Sequence, residues 1–162
     1  ENISHHETHP EMMAEEITNR VCAALDEGIY DFILINFANA DMIAHTSNFK
    51  ATERTISFLD HCIKRIMDKT LSGDHTLLIT GDHGNAETLL NLHTGKKESI
   101  HNTNPVPFYL IAPSFQNDKP MTLPHRLPLI GMLSDVAPTI LHLMHIPVPQ
   151  EMTGQNLLEQ LL

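Results

Sequence analysis

The chain has 162 residues, 41% of them hydrophobic and 19% charged, which suits one folded domain with a buried core and excludes a disordered tail. Its formal charge of −10 disfavours nucleic acid and anionic lipid as partners, and no apolar run nears the roughly 18 residues of a membrane span. Cys22 and Cys62 lie far apart in helical patterns with no CxxC, so both read as reduced core thiols of a cytoplasmic protein, and the polar start "ENISHHETHPEM" carries no secretory apolar stretch.

In chain order, Pro10 at a first-turn position, then Met13, Ile17, Val21, Ala24 and Leu25 at helical spacing, and Gly28 as a stop, predict a first helix. "DFILINF", Asp31 to Phe37, is apolar without alternation, as in a strand of a parallel sheet covered on both faces. A helix from about Lys50 to Leu71 follows, with Ile56, Leu59, Ile63, Ile66 and Met67 on one face and Gly73 after it. His75 to Thr80 and Pro107 to Ala112 read as further strands, and Leu129 to Leu133 as a short fourth. The proline-containing stretch Ser114 to Pro128 reads as a surface excursion, not a domain linker. Ser134 is placed to cap a last helix carrying Val136, Ile140, Leu143 and Met144. Helices alternating with buried strands imply a three-layer α/β/α sandwich with right-handed crossovers.

In such sheets ligands bind beyond the strand ends, so the polar residues that follow each run matter most. After the first run, "NFANADMIAHT" sets Asp41 and His45 four residues apart, on one face if the segment is helical. After the second comes "GDHGN", with Asp82 and His83, and before the third comes "IHNTNPVPF", with His101. Carboxylates and imidazoles without thiolates suit Zn, Mn or Fe and argue against a structural zinc cluster. The other histidines have plainer readings. His5, His6 and His9 sit in a polar surface segment, His61 lies on a helix, His93 falls in a turn, and His142 and His145 complement the end of the last helix.

The motifs "YDFILINFANADMIAHT", "LLITGDHGNAE", "HNTNPVPFYLIA" and "LSDVAPTILHLM…PVPQEMTGQNLL" resemble, in order, those of the cofactor-independent (2,3-bisphosphoglycerate-independent) phosphoglycerate mutase family of the alkaline phosphatase superfamily. The resemblance runs from about Pro10 to Leu162. It implies the phosphatase-type three-layer fold and interconversion of 3-phosphoglycerate and 2-phosphoglycerate, a step of glycolysis and gluconeogenesis. Two divalent ions, Mn first and otherwise Mg, Zn or Co, would act with a serine that is transiently phosphorylated. Position by position it assigns Asp41, His45 and His101 to one ion and Asp82 and His83 to the other, which requires the backbone to turn sharply between the two, with Gly84 supplying a place to do so. Gly81, Ala44, Ser47 and Asn102 depart from the family pattern; glycines are more usual where Ala44 and Ser47 stand.

No counterpart of the family's nucleophilic serine motif occurs among these residues, and Glu1 is no initiator Met, so residues 1–162 are expected to be the carboxyl-terminal part of the phosphatase domain, without the serine-bearing segment and inserted domain. Such a fragment should be inactive alone and should expose an unpaired strand edge that favours self-association. The alternatives are another phosphomutase or hydrolase of the superfamily, or a non-catalytic metal-binding remnant.

Overall fold

A computed structural model of the chain describes residues 8–90, 94–115 and 128–161. Helix α1 (Ala14–Glu27) buries Ala14, Thr18, Val21 and Ala24, the three- and four-residue spacing of one helical face. It ends at Gly28, whose φ of 63° lets its N–H reach the Ala24 carbonyl, a left-handed cap that glycine forms without strain. Pro10 lies in the turn before this helix, outside its first turn. Helix α2 (Asn39–Ala44) is a short helix closed by His45, whose N–H bonds the Asp41 carbonyl.

Helix α3 (Phe49–Ser72) starts where the Asn48 side chain accepts a bond from the Ala51 N–H at 3.2 Å. Its buried stripe is Ala51, Thr52, Thr55, Leu59, Cys62, Ile66 and Thr70, so the inward face is rotated from the expected one and Ile56 is exposed. Small residues won because α1 and α2 both pack on α3, and close approach favours Ala, Thr and Cys over a larger side chain. The buried threonine hydroxyls are satisfied within their own helices: Thr18 donates to Ala14 O, Thr55 to Ala51 O and Thr70 to Ile66 O, all at 2.7–2.9 Å. Ala14, Leu59 and Cys62 form the core with Phe37, Ala40 and Phe58 against them, and each fully buried large apolar side chain contributes about 1.5–3 kcal/mol. The ion pairs Arg65–Glu15 and Lys69–Asp26 span α1 and α3 at the surface, where each is worth less than about 1 kcal/mol.

Strands β1 (Leu77–Thr80) and β2 (Phe108–Ile111) fall inside the two expected segments. They pair antiparallel, Leu77 opposite Ile111 and Thr80 opposite Phe108, where a parallel pairing was expected. Asp31–Phe37 is not a strand of this sheet. Among the described residues no backbone hydrogen bond pairs it with a neighbour, Phe32 and Leu34 are exposed, and burial alternates from Phe32 to Phe37. An apolar run favours a two-residue alternation, but a ladder also needs a partner.

The chain divides into two compact units, Glu1–Gln116 and Asn117–Leu162, within the stretch expected to be a surface excursion. In the second unit the expected strand at Leu129–Leu133 is absent among the described residues, and Leu129 is exposed. A single 3-10 turn, Leu133–Asp135, leads into α4 (Val136–Leu143), and α5 (Leu158–Leu161) follows. Asp135, not Ser134, stands at the boundary of α4. Its buried carboxylate accepts from the N–H groups of Met132 at 2.7 Å and Gln155 at 2.8 Å, while Thr139 donates to Asp135 O and accepts from Leu157 N–H. These backbone bonds hold the Asp135 carboxyl below the ordinary Asp range.

Candidate metal centre

Helix α2 fixes the first pair of donors. Asp41 in its first turn and His45 at its end lie one helical turn apart, so the side chains meet, with His45 Nε2 3.3 Å from Asp41 Oδ2. The segment after Ser99 brings in His101 from the other side, its Nε2 3.2 Å from Asp41 Oδ1 and 3.2 Å from His45 Nε2.

The chemistry of this triangle follows from its hydrogen bonds. His45 Nδ1 is 2.6 Å from the Ser99 carbonyl oxygen, which can only accept, so Nδ1 carries the proton. In the neutral ring Nε2 is then a bare lone pair, and it points at a second imidazole nitrogen and a carboxylate oxygen. Three such atoms repel unless a proton on His101 Nε2 or a cation lies among them. A backbone carbonyl that sets the tautomer of a histidine is the usual support of a metal ligand. The donor set therefore fits a divalent ion of borderline or hard character.

Around the triangle lies the loop that follows β1. His83 stacks on His101, ring centroids 3.7 Å apart, and its Nδ1 is buried with no hydrogen-bond partner among the described residues. One donor atom each from Asp41, His83 and His101 lie within 4.8 Å of one another, so a second combination of ligands shares two members with the first. Asp82 does not join them: its side chain is 89% exposed, and its Oδ1 is 3.6 Å from His83 Nε2. The five residues singled out in the sequence thus fall at one place, with four gathered and Asp82 facing outward.

Sequence reasoning gave no role to the asparagines and the glutamate that brace the site. Asn85 Nδ2 donates to Asp41 Oδ1 at 2.7 Å, and Glu87 accepts from the Asn85 N–H at 2.9 Å and from Asn104 Nδ2 at 2.8 Å. Asn102 N–H bonds the Gly84 carbonyl at 2.8 Å, joining the His83 loop to the His101 segment. Gly84 has no left-handed φ; a Cβ there would land on Asn102 Oδ1 and Glu87 Oε1, so its value is space and not the sharp turn expected of it. The signals for these roles were the "NAE" that follows "DHG" and the asparagines of "HNTN".

Burial pushes the Asp41 carboxyl up, but the Asn85 amide and the neighbouring His45, His101 and His83 outweigh it and hold it below the ordinary Asp range. Burial likewise raises Glu87, and the Asn104 amide and the backbone N–H groups outweigh it.

His9 is exposed beside Glu11, His61 is exposed on α3, His142 lies in the last turn of α4 and His145 beyond it. His5, His6 and His93 lie outside the described residues. Cys22 and Cys62 are both free thiols, with Cys62 buried and Cys22 half-buried. No helix of the described residues is long and apolar enough to cross a membrane.

The 2,3-bisphosphoglycerate-independent phosphoglycerate mutase of Clostridium botulinum (strain ATCC 19397) is 41% identical over 157 residues, covering 97% of this chain and 29% of that protein. The enzyme of the same name from Francisella tularensis subsp. novicida is 41% identical over 155 residues, covering 96% of this chain and 29% of its own length. Among solved structures, Leishmania mexicana phosphoglycerate mutase, crystallised at low cobalt concentration, superposes with a TM-score of 0.79 at 25% identity over 96% of this chain and 30% of that one. The fold is accordingly of the alkaline-phosphatase-like α/β type, and the chain spans less than a third of the relatives it matches. The model of the metalloenzyme superfamily matches residues 1–148, and on that ground the chain belongs to the metalloenzyme superfamily.

Proposed function

We propose that this chain is the metal-binding, carboxyl-terminal segment of the phosphatase domain of a cytoplasmic phosphoglycerate mutase of glycolysis and gluconeogenesis. The observation that carries the proposal is the convergence of His45, His101 and Asp41 on one point, in a chain 41% identical to such mutases over nearly all its length. Asp41, His45 and His101 hold one divalent ion, Mn in the first instance with Mg, Zn or Co compatible. Asp82 and His83 offer a second, weaker place, because Asp82 is turned to solvent. A bound divalent ion supplies a Lewis acid that neutralises phosphoryl oxygens and activates a hydroxyl.

The residues of this chain do the rest of the binding work. The Ser99 carbonyl keeps Nε2 of His45 free to ligate, and Asp41 brings the negative charge that a cation between two neutral imidazoles requires. The serine that takes up the phosphoryl group belongs to a segment other than residues 1–162, so the phosphoserine path needs that segment joined to this one. The exposed Tyr30, Phe32 and Leu34 beside α1 border a groove of about 520 Å³, which favours self-association of the isolated chain; sedimentation should show it.

Conversion of 3-phosphoglycerate tests the proposal. The 162-residue chain loaded with Mn is expected to give none, and the chain joined to the segments of a relative that it does not cover is expected to give 2-phosphoglycerate. Turnover by the chain alone contradicts the external serine. A joined protein that hydrolyses phosphoesters without isomerising phosphoglycerate contradicts the mutase assignment.

A further inference from the structure

Asn85 belongs to no ligand set, yet it bonds Asp41 directly and connects to the segment of His101 through Glu87. It is 3% exposed, and its side-chain amide donates to Asp41 Oδ1 at 2.7 Å. Since a carboxylate can only accept, the bond fixes which end of the amide faces Asp41. That same Oδ1 lies 3.2 Å from His101 Nε2, and Oδ2 lies 3.3 Å from His45 Nε2. An Asp carboxylate rotates broadly about its last bond, so nothing in α2 alone forces one oxygen toward each imidazole.

The anchor is itself anchored. The Asn85 N–H bonds Glu87 Oε2 at 2.9 Å, and Glu87 Oε1 accepts from Asn104 Nδ2 at 2.8 Å, three residues beyond His101. One chain of bonds therefore runs from Asp41 on α2, through Asn85 and Glu87 in the loop of His83, to the segment of His101.

We propose that Asn85 is a positioning residue that locks the Asp41 carboxylate with one oxygen toward each of His45 and His101, and that it thereby sets the affinity of the site for a divalent cation. The inference rests on the reading of Asp41, His45 and His101 as ligands. Hydrogen-bonded partners of metal ligands typically change affinity ten- to a hundredfold when removed, because the ligand must then be ordered by the ion itself.

The test is Mn²⁺ titration of the 162-residue chain by calorimetry, wild type beside Asn85→Leu, which keeps the volume and removes the donor, and Asn85→Ser, which is smaller and cannot span the distance. Two-dimensional amide spectra of both variants report folding separately. Mn affinity is expected to fall about ten- to a hundredfold in each variant that keeps the wild-type spectrum outside residues 81–104. Restoration toward wild type in Asn85→Gln, which keeps the amide donor on a longer arm, is expected to be partial. Unchanged affinity in a folded variant overturns the role of Asn85 while leaving the metal site standing. Loss of fold in both Leu and Ser variants overturns it too, since Asn85 would then hold the loop rather than the carboxylate. A wild-type chain that binds no Mn removes the metal reading and this inference together.

Discussion

His45 and His101 confront each other Nε2 to Nε2 at 3.2 Å, with an oxygen of Asp41 against each. Two imidazole nitrogens at hydrogen-bond distance share one proton or one cation, and the Ser99 carbonyl has already claimed the proton of His45 Nδ1. If the cation is a metal, His45→Ala should weaken Mn binding by more than about a hundredfold in calorimetry, because a direct ligand matters more than its supports. Binding unchanged in that variant would place the ion elsewhere.

Gly84→Ala probes the bracing of the site. The added methyl would meet Asn102 Oδ1 and Glu87 Oε1, so the bridge between the His83 loop and the His101 segment must open or shift. Crowding of this kind costs about 1–3 kcal/mol. The expected outcome is a lower thermal midpoint together with weaker Mn binding, both read on one sample by denaturation with and without metal. A variant with wild-type values for both would show that the neighbours give way freely.

Ser47 lies in the left-handed region at φ 49°, where a residue with a Cβ carries a cost of about 1–2 kcal/mol, and it stands where the resembling family more often has glycine. Its hydroxyl donates to the Glu98 carbonyl at 2.9 Å, a bond worth about 1 kcal/mol that offsets much of this. Ser47→Ala keeps the strain and loses the bond, so it should destabilise by about 1 kcal/mol. Ser47→Gly loses both and should be close to neutral. Urea denaturation of the pair decides; equal loss in both would mean that the backbone strain is not felt.

How far the site could be read in advance depends on what each residue relies on. Asp41 and His45 were legible because a helix brings positions four apart together whatever else the chain does. His83 and His101 were legible as strand-end residues, but their stacking was not, since it arises from loop pairing between Gly84 and Asn102 that no local pattern encodes. Asn85 escaped notice for the same reason. The apolar run Asp31–Phe37 was correctly seen as apolar and wrongly given a partner, because pairing is a property of two segments and the run shows only one. In α3 the helix was plain from its spacing, while the inward face was set by how closely α1 and α2 approach, which moved it from Ile56 toward Ala51, Thr55 and Cys62.

Asp135 makes the second unit sensitive to acid. Its folded carboxyl titrates below the 3.8 of a free Asp because two backbone N–H groups bond its charged form. A depressed folded value means that its stabilisation is fully present above the unfolded value and is lost as pH falls below about 4 through the folded one. Asp135→Ala leaves both N–H groups without their acceptor and should cost about 2 kcal/mol at neutral pH. Amide resonances of residues 132–157, followed through denaturation at pH 7 and again near pH 2, should show a difference between wild type and variant that shrinks in acid. A difference that persists in acid would mean that Asp135 acts through packing alone.

The proposed metal site is tested most directly by anomalous scattering from a crystal of this chain soaked in Mn. A peak bounded by Asp41, His45 and His101, with Asp82 and His83 engaged partly or not at all, is the result expected of a mutase metal segment. A map with no peak there, the two imidazoles still facing each other at 3.2 Å across a shared proton, would contradict it.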